Sequence, residues 1–204
     1  LIRKLHCGAN KRFDKQRGMN LAPFWQPLDE QISRSVHSYA NPTLDQLMVS
    51  ITSAGNSLML ITMTMAFAVL LLWRHPQRRA SAIYAAAAFT SFLLSEWLKA
   101  FFGRARPQLW QQIIPLPSNA SFPSGHAMIS MTVYGLAAWF LADHFAQWRR
   151  TILWAMGLLI LLIGCSRVYL GVHWATDVLA GFIFGFVIVA LSAFIHRSSK
   201  RNAV

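Results

Sequence analysis

The sequence predicts an all-α fold: a polytopic bundle of about five transmembrane helices, with amphipathic helices lying against it at the membrane interface. Three observations carry this. Of the 204 residues, 55% are hydrophobic and 13% charged, proportions that suit an integral membrane protein better than a soluble globule. Five apolar stretches are long enough, or nearly so, to cross a bilayer as helices. The basic residues behind the net charge of +12 fall in short groups between those stretches. That is how anchors at a lipid surface are placed, so the charge does not imply a nucleic-acid partner.

Residues 1–18 carry six Lys or Arg against the single Asp14, and read as a basic tail. Met19 opens a stretch with few charges. The expectation is that Met19 lies close to the native start and that residues 1–18 are not part of the fold; a missing upstream helix is the competing explanation. Residues 19–56 read as an interfacial amphipathic segment. Leu28, Ile32, Val36 and Tyr39 fall near one helical stripe, Asn41-Pro42 breaks it, and Leu44, Leu47, Met48 and Ile51 restart it. These turns either lie along the interface or pack against the bundle.

Residues 57–197 hold the membrane domain, with spans at about 57–73, 80–102, 127–142, 151–166 and 178–195. Residues 198–204 form a second basic tail. Cys7 and Cys165 offer no disulfide framework, and Cys165 reads as a small buried hydrophobe. Alternating the spans gathers Arg74, Arg78, Arg79, Arg149, Arg150, Arg197, Lys200 and Arg201 on one face, which the positive-inside rule makes cytoplasmic.

The opposite face receives the residues that carry chemistry. His173 and Asp177 in SRVYLGVHWATD are four apart, within side-chain reach on a helix. A carboxylate holding one ring nitrogen fixes the tautomer and leaves the other free to attack. Taken alone, such a pair is as well explained by a buried structural contact. Upstream stand Lys99 and Arg106-Pro107 in KAFFGRARP, then Pro123-Ser124-Gly125-His126. Lys99, Arg106 and Arg167 are either interfacial anchors or three cations suited to the charge spread over phosphoryl oxygens. Gly125 allows close backbone approach where a helix begins, and amides there favour an anion. Ser124 either caps that helix or adds its hydroxyl and its own amide to the anion cradle; both can hold.

The blocks Lys-x6-Arg-Pro, Pro-Ser-Gly-His and Ser-Arg-x5-His-x3-Asp, in that order, resemble the signature of the type-2 phosphatidic acid phosphatase (PAP2) superfamily. The resemblance covers about residues 28–195 and looks strongest to compact bacterial lipid phosphatases. It implies that His173 is the nucleophile, oriented by Asp177. His126 would be the general acid and base, and Lys99, Arg106, Ser124, Gly125 and Arg167 would bind phosphate. It implies a membrane lipid phosphate as substrate, undecaprenyl diphosphate first, then phosphatidylglycerophosphate and phosphatidic acid, with the active site outside the plasma membrane. No cofactor is expected, and the clustered acids of a two-metal phosphatase are absent, so no metal ligands are assigned.

A lipid phosphotransferase is a close variant, and vanadium haloperoxidases share this kind of site but are soluble. A non-enzymatic membrane subunit would leave the signature as buried ion pairs. Around the site, Glu96 is expected to pair with Lys99, Arg104 to be an interfacial anchor, and the 104–122 loop to form a roof. Trp110, Ile113, Ile114 and Leu116 of that loop would dip into the interface. Trp25, Trp97, Trp110 and Trp174 read as an aromatic belt, and His6, His37, His75, His144 and His196 as surface residues.

Overall fold

A computed structural model describes residues 22–74 and 78–201. The basic tail 1–18 and His75 lie outside the described residues. Seven α-helices account for nearly all of what is described: α1 (Ala22–His37), α2 (Pro42–Ser53), α3 (Ser57–Arg74), α4 (Arg79–Phe102), α5 (Gly125–His144), α6 (Arg149–Tyr169) and α7 (Ala175–Arg201). The fold is the all-helical membrane bundle that the sequence predicts.

Four helical segments cross a membrane by length and composition: Arg79–Phe102, Gly125–His144, Ala146–Tyr169 and Ala175–Ser199. The fifth span is compound. α2 and α3 meet at a bend of 42° and qualify together, rather than as the single helix expected from residue 57. The bend is pinned where the Tyr134 hydroxyl of α5 donates to the Ala54 carbonyl at 2.7 Å. All four uninterrupted spans are longer than their apolar stretches, because polar end residues continue the backbone ladder into the interface.

The middle of the bundle is α5, which packs on α7, α6, α4 and α3. It is apolar on every side, as a core helix must be. Its Met128, Val133 and Leu136 are almost completely buried, together with Tyr84 of α4 and Ile163 of α6. In lipid, helices gain little from hydrophobicity alone, and close backbone approach takes over. Gly181 and Gly185 of α7 provide it. A methyl on Gly181 would lie 2.7 Å from the Ser124 carbonyl oxygen, and one on Gly185 would lie 2.6 Å from that of Met128. These two glycines therefore set α7 against the start of α5, where the signature residues lie.

A smaller cluster sits beyond the end of α6. Tyr169, Leu170 and Val172 are buried there against Val36 of α1, Leu44 and Met48 of α2, and Ile113, Ile114 and Leu116 of the roof loop. The apolar roof residues thus pack on protein rather than dipping into lipid. The stripe expected on α1 is also only half right. Ile32 and Val36 face the bundle, but Leu28 is 48% and Tyr39 75% exposed, while Asp29 and Ser33 are buried. Cys165 is exposed, on the same outward side of α6 as Leu158 and Leu161.

Candidate active site

The site forms at one end of the bundle, where α4 ends, α5 begins, α6 ends and α7 begins. α4 stops at Gly103, whose left-handed φ of 59° suits glycine, and whose amide closes on the Lys99 carbonyl. The chain then runs through the roof and enters α5 at Ser124. α6 ends at Tyr169, and a short turn through Gly171 (φ 66°) carries His173 to the start of α7. Each signature block therefore lies at a helix end, where backbone groups and charged side chains converge.

His173 is 3% exposed and held from both sides. Its Nδ1 faces Asp177 Oδ2 across 3.5 Å, a polar contact slightly too long to count as a formed hydrogen bond. Its Nε2 lies 3.2 Å from Arg106 Nη1. Burial lowers the His173 pKa to about 4, with Asp177 opposing and the Arg106 and Arg167 charges adding to the depression. The ring is therefore neutral around pH 7, leaving one nitrogen with an available lone pair. Asp177 is fully buried; its Oδ2 also accepts the Trp174 amide at 3.0 Å, which caps the start of α7.

The Arg106 guanidinium is fixed in the roof. Its Nε and Nη2 donate to the Asn119 carbonyl and side chain at 3.0 and 2.8 Å, and its Nη1 donates to the Val172 carbonyl at 2.8 Å. Lys99 Nζ pairs with Glu96 at 2.5 Å, as the spacing predicts. A methyl added to Gly125 would stand 3.2 Å from Lys99 Nζ. Glycine thus lets the ammonium approach the first amides of α5, which have no partner inside the helix. Ser124 occupies the N-cap position, yet its hydroxyl makes no cap bond and is buried without a partner among the described residues. Its amide donates to the Asp177 carbonyl at 3.0 Å. That overturns the expected contribution of the Ser124 amide to an anion cradle.

Arg167 is 3% exposed and donates to Thr52 Oγ1 at 2.7 Å, with its Nε left without a partner. His126 Nε2 lies 3.1 Å from Asn56 Oδ1. Arg167, His173, Lys99 and Arg106 are all within electrostatic range of His126. All eight sequence-predicted site residues thus gather at this end of the bundle. Three cations and two polar atoms without partners surround two histidines, an arrangement suited to a tetrahedral oxyanion.

Four contributors were missed. Thr52 and Asn56 come from the α2–α3 bend and touch Arg167 and His126; no local spacing ties them to the signature. Arg104 is not an interfacial anchor. It donates to Asp177 Oδ1 and to Asp29 Oδ2, each at 2.6 Å, with its side chain 11% exposed. Asp29 is the fourth, fully buried on α1. Trp174 is not a belt residue either. It is 4% exposed, donates to the Ala105 carbonyl at 2.9 Å and lies beneath Arg104. Trp110 stacks on His37 with ring centroids 3.9 Å apart, and His196 packs edge-on against Phe140, so neither histidine is a free surface group. Trp25 and Trp97 are exposed, as a belt requires.

The family model for the PAP2 superfamily matches residues 80–201. Phosphatidylglycerophosphatase B of Bacillus subtilis is 32% identical over 182 residues, covering 86% of this chain and 87% of that one. An undecaprenyl-diphosphatase of Sulfolobus acidocaldarius is also 32% identical, covering 76% and 72%. The crystal structure of a transmembrane PAP2-type phosphatidylglycerolphosphate phosphatase from Bacillus subtilis superposes with a TM-score of 0.82 at 30% identity, covering 88% of this chain and 89% of the other. With its apolar spans and its complete signature, the chain belongs to the PAP2 superfamily, as a multi-pass membrane phosphoric ester hydrolase.

Proposed function

We propose that this protein removes a terminal phosphate from a membrane lipid through a phosphohistidine intermediate, at the outward face of the plasma membrane. The observation that carries the reading is the bracketing of His173, with Asp177 at Nδ1 and Arg106 at Nε2. The lone pair on Nε2 forms the bond to phosphorus as the phosphorus–oxygen bond to the lipid breaks. His126 donates a proton to the departing oxygen. It then takes a proton from water, whose oxygen displaces the histidine and releases inorganic phosphate. Lys99, Arg106 and Arg167, with the Ser124 hydroxyl and the start of α5, hold the equatorial oxygens; Gly125 gives them room.

The fuller likeness to phosphatidylglycerophosphatase B makes phosphatidylglycerophosphate the first substrate to test. Undecaprenyl diphosphate, first on sequence grounds, is the second reading, favoured by the likeness to undecaprenyl-diphosphatases. Both lipids end in a phosphate that the same cradle would grip. The test is phosphate release by purified protein across a lipid panel in EDTA, with Asp177→Asn as control. Release that persists in EDTA is expected, because three fixed cations neutralise the phosphate. Loss in EDTA restored by magnesium would overturn this charge assignment. Label passing to an acceptor lipid would make the enzyme a phosphotransferase.

A further inference from the structure

We infer that Arg104, held by Asp29 of α1, is a positioning residue for the Asp177–His173 pair. The inference rests on the proposed role of His173. Arg104 fills one of the unspecified positions inside the first signature block, and Asp29 lies outside the matched residues 80–201. Yet the two complete a buried network around the carboxylate that faces the nucleophile.

The arrangement is specific. Arg104 Nη1 donates to Asp177 Oδ1 at 2.6 Å and to Thr176 Oγ1 at 2.7 Å. Its Nη2 donates to Asp29 Oδ2 at 2.6 Å. Asp29 in turn accepts the Thr176 amide at 3.0 Å and the Thr176 hydroxyl at 2.5 Å. Asp177 therefore has one oxygen fixed by Arg104 and the other turned to the Trp174 amide and His173. A carboxylate gripped at Oδ1 cannot rotate away from the imidazole. Lysine has no equivalent fork to bridge two carboxylates in fixed geometry.

Charge leads to the same conclusion. Both carboxylates are fully buried, and one guanidinium lies between them. Taken as ionised, the group keeps one net negative charge. That charge borders the ring which becomes cationic when Nε2 bonds to phosphorus. A bridge serving stability alone would have no need to share its cation with the partner of the reacting histidine, since buried ion pairs contribute little net stability over apolar packing.

The test is a double-mutant cycle of Arg104→Met with Asp177→Asn, read as the single-turnover rate of phosphoenzyme formation at excess enzyme. If Arg104 acts through Asp177, Arg104→Met slows the step about a hundredfold, the scale of an ångström of misplacement. In the Asp177→Asn background it should then have almost no further effect. Inhibition by orthovanadate, which reports the phosphate cradle, should change less than about threefold, an effect small beside a tenfold affinity step. Arg104→Lys should lose about tenfold, as a charge without the fork. Losses that multiply across the cycle would show that Arg104 only pins the roof to α1, and would overturn the inference. Should Arg104→Met not accumulate, Arg104→Lys runs in the same cycle, and an unchanged rate there overturns the inference too. Activity in His173→Ala would instead defeat the proposed mechanism, leaving a distinguishable result.

Discussion

Neutral imidazole at His173 has a consequence for stability as well as for the proposed attack on phosphorus. An unfolded histidine takes up a proton near pH 6.5, whereas burial holds the folded His173 neutral down to about 4. Between those values the unfolded state binds more protons, so stability rises with pH across the window and is lost as pH falls through it. The melting temperature of the detergent-solubilised protein should therefore drop between pH 6.5 and 4 more steeply than that of His173→Gln. Parallel curves would mean that His173 is not shielded from protons. At this scale the signature residues were legible because each block is local: nine, four or twelve residues carry the spacing. Arg104 and Asp29 were not legible, because their ion pair joins positions 75 apart. An arginine beside a membrane helix and an aspartate on an amphipathic stripe each look like interfacial residues when read alone.

Helices were legible wherever hydropathy decides their burial, and misread where it does not. All five apolar stretches became helices, but on α1 the buried Asp29 and Ser33 face inward with Ile32 and Val36, while Leu28 is exposed. Cys165 ends an apolar run, yet on a span a lipid-facing side is as apolar as a core-facing one. The contact between α5 and α7 depends on glycine and gives a prediction at this scale. Gly185→Val forces a side chain against the Met128 backbone and should destabilise the bundle by about 1–3 kcal/mol. Gly181→Ala pushes on the Ser124 carbonyl beside the site, and should cost activity out of proportion to melting temperature. Gly157→Ala, which meets nothing within 4 Å, is the control and should leave both unchanged. Equal effects from all three would remove the argument for close α5–α7 packing.

For the whole molecule, the signature end and the arginine-rich end lie at opposite ends of the same antiparallel spans. Arg149 and Arg150 start α6, whose other end carries Arg167. On the proposed reading, this charge bias orients the bundle with the site outward. In a background with Cys7 and Cys165 replaced by serine, an impermeant thiol reagent should label cysteine introduced by Gln111→Cys in intact cells, or in spheroplasts if an outer membrane is present. It should not label that from Gln147→Cys. The reverse pattern would turn the protein over and end the proposed role at the outer leaflet.

The central claim is that His173 takes the phosphoryl group and His126 manages the protons. The two histidines should fail differently when labelled nitrophenyl phosphate is rapidly quenched under mildly alkaline conditions that preserve phosphohistidine. This leaving group departs with little need of a proton, so His126→Ala should still form the phosphoenzyme, which then persists because water is not activated. His173→Ala should form none. Label that accumulates in His173→Ala and is absent from His126→Ala would contradict the account, with nucleophile and acid exchanged.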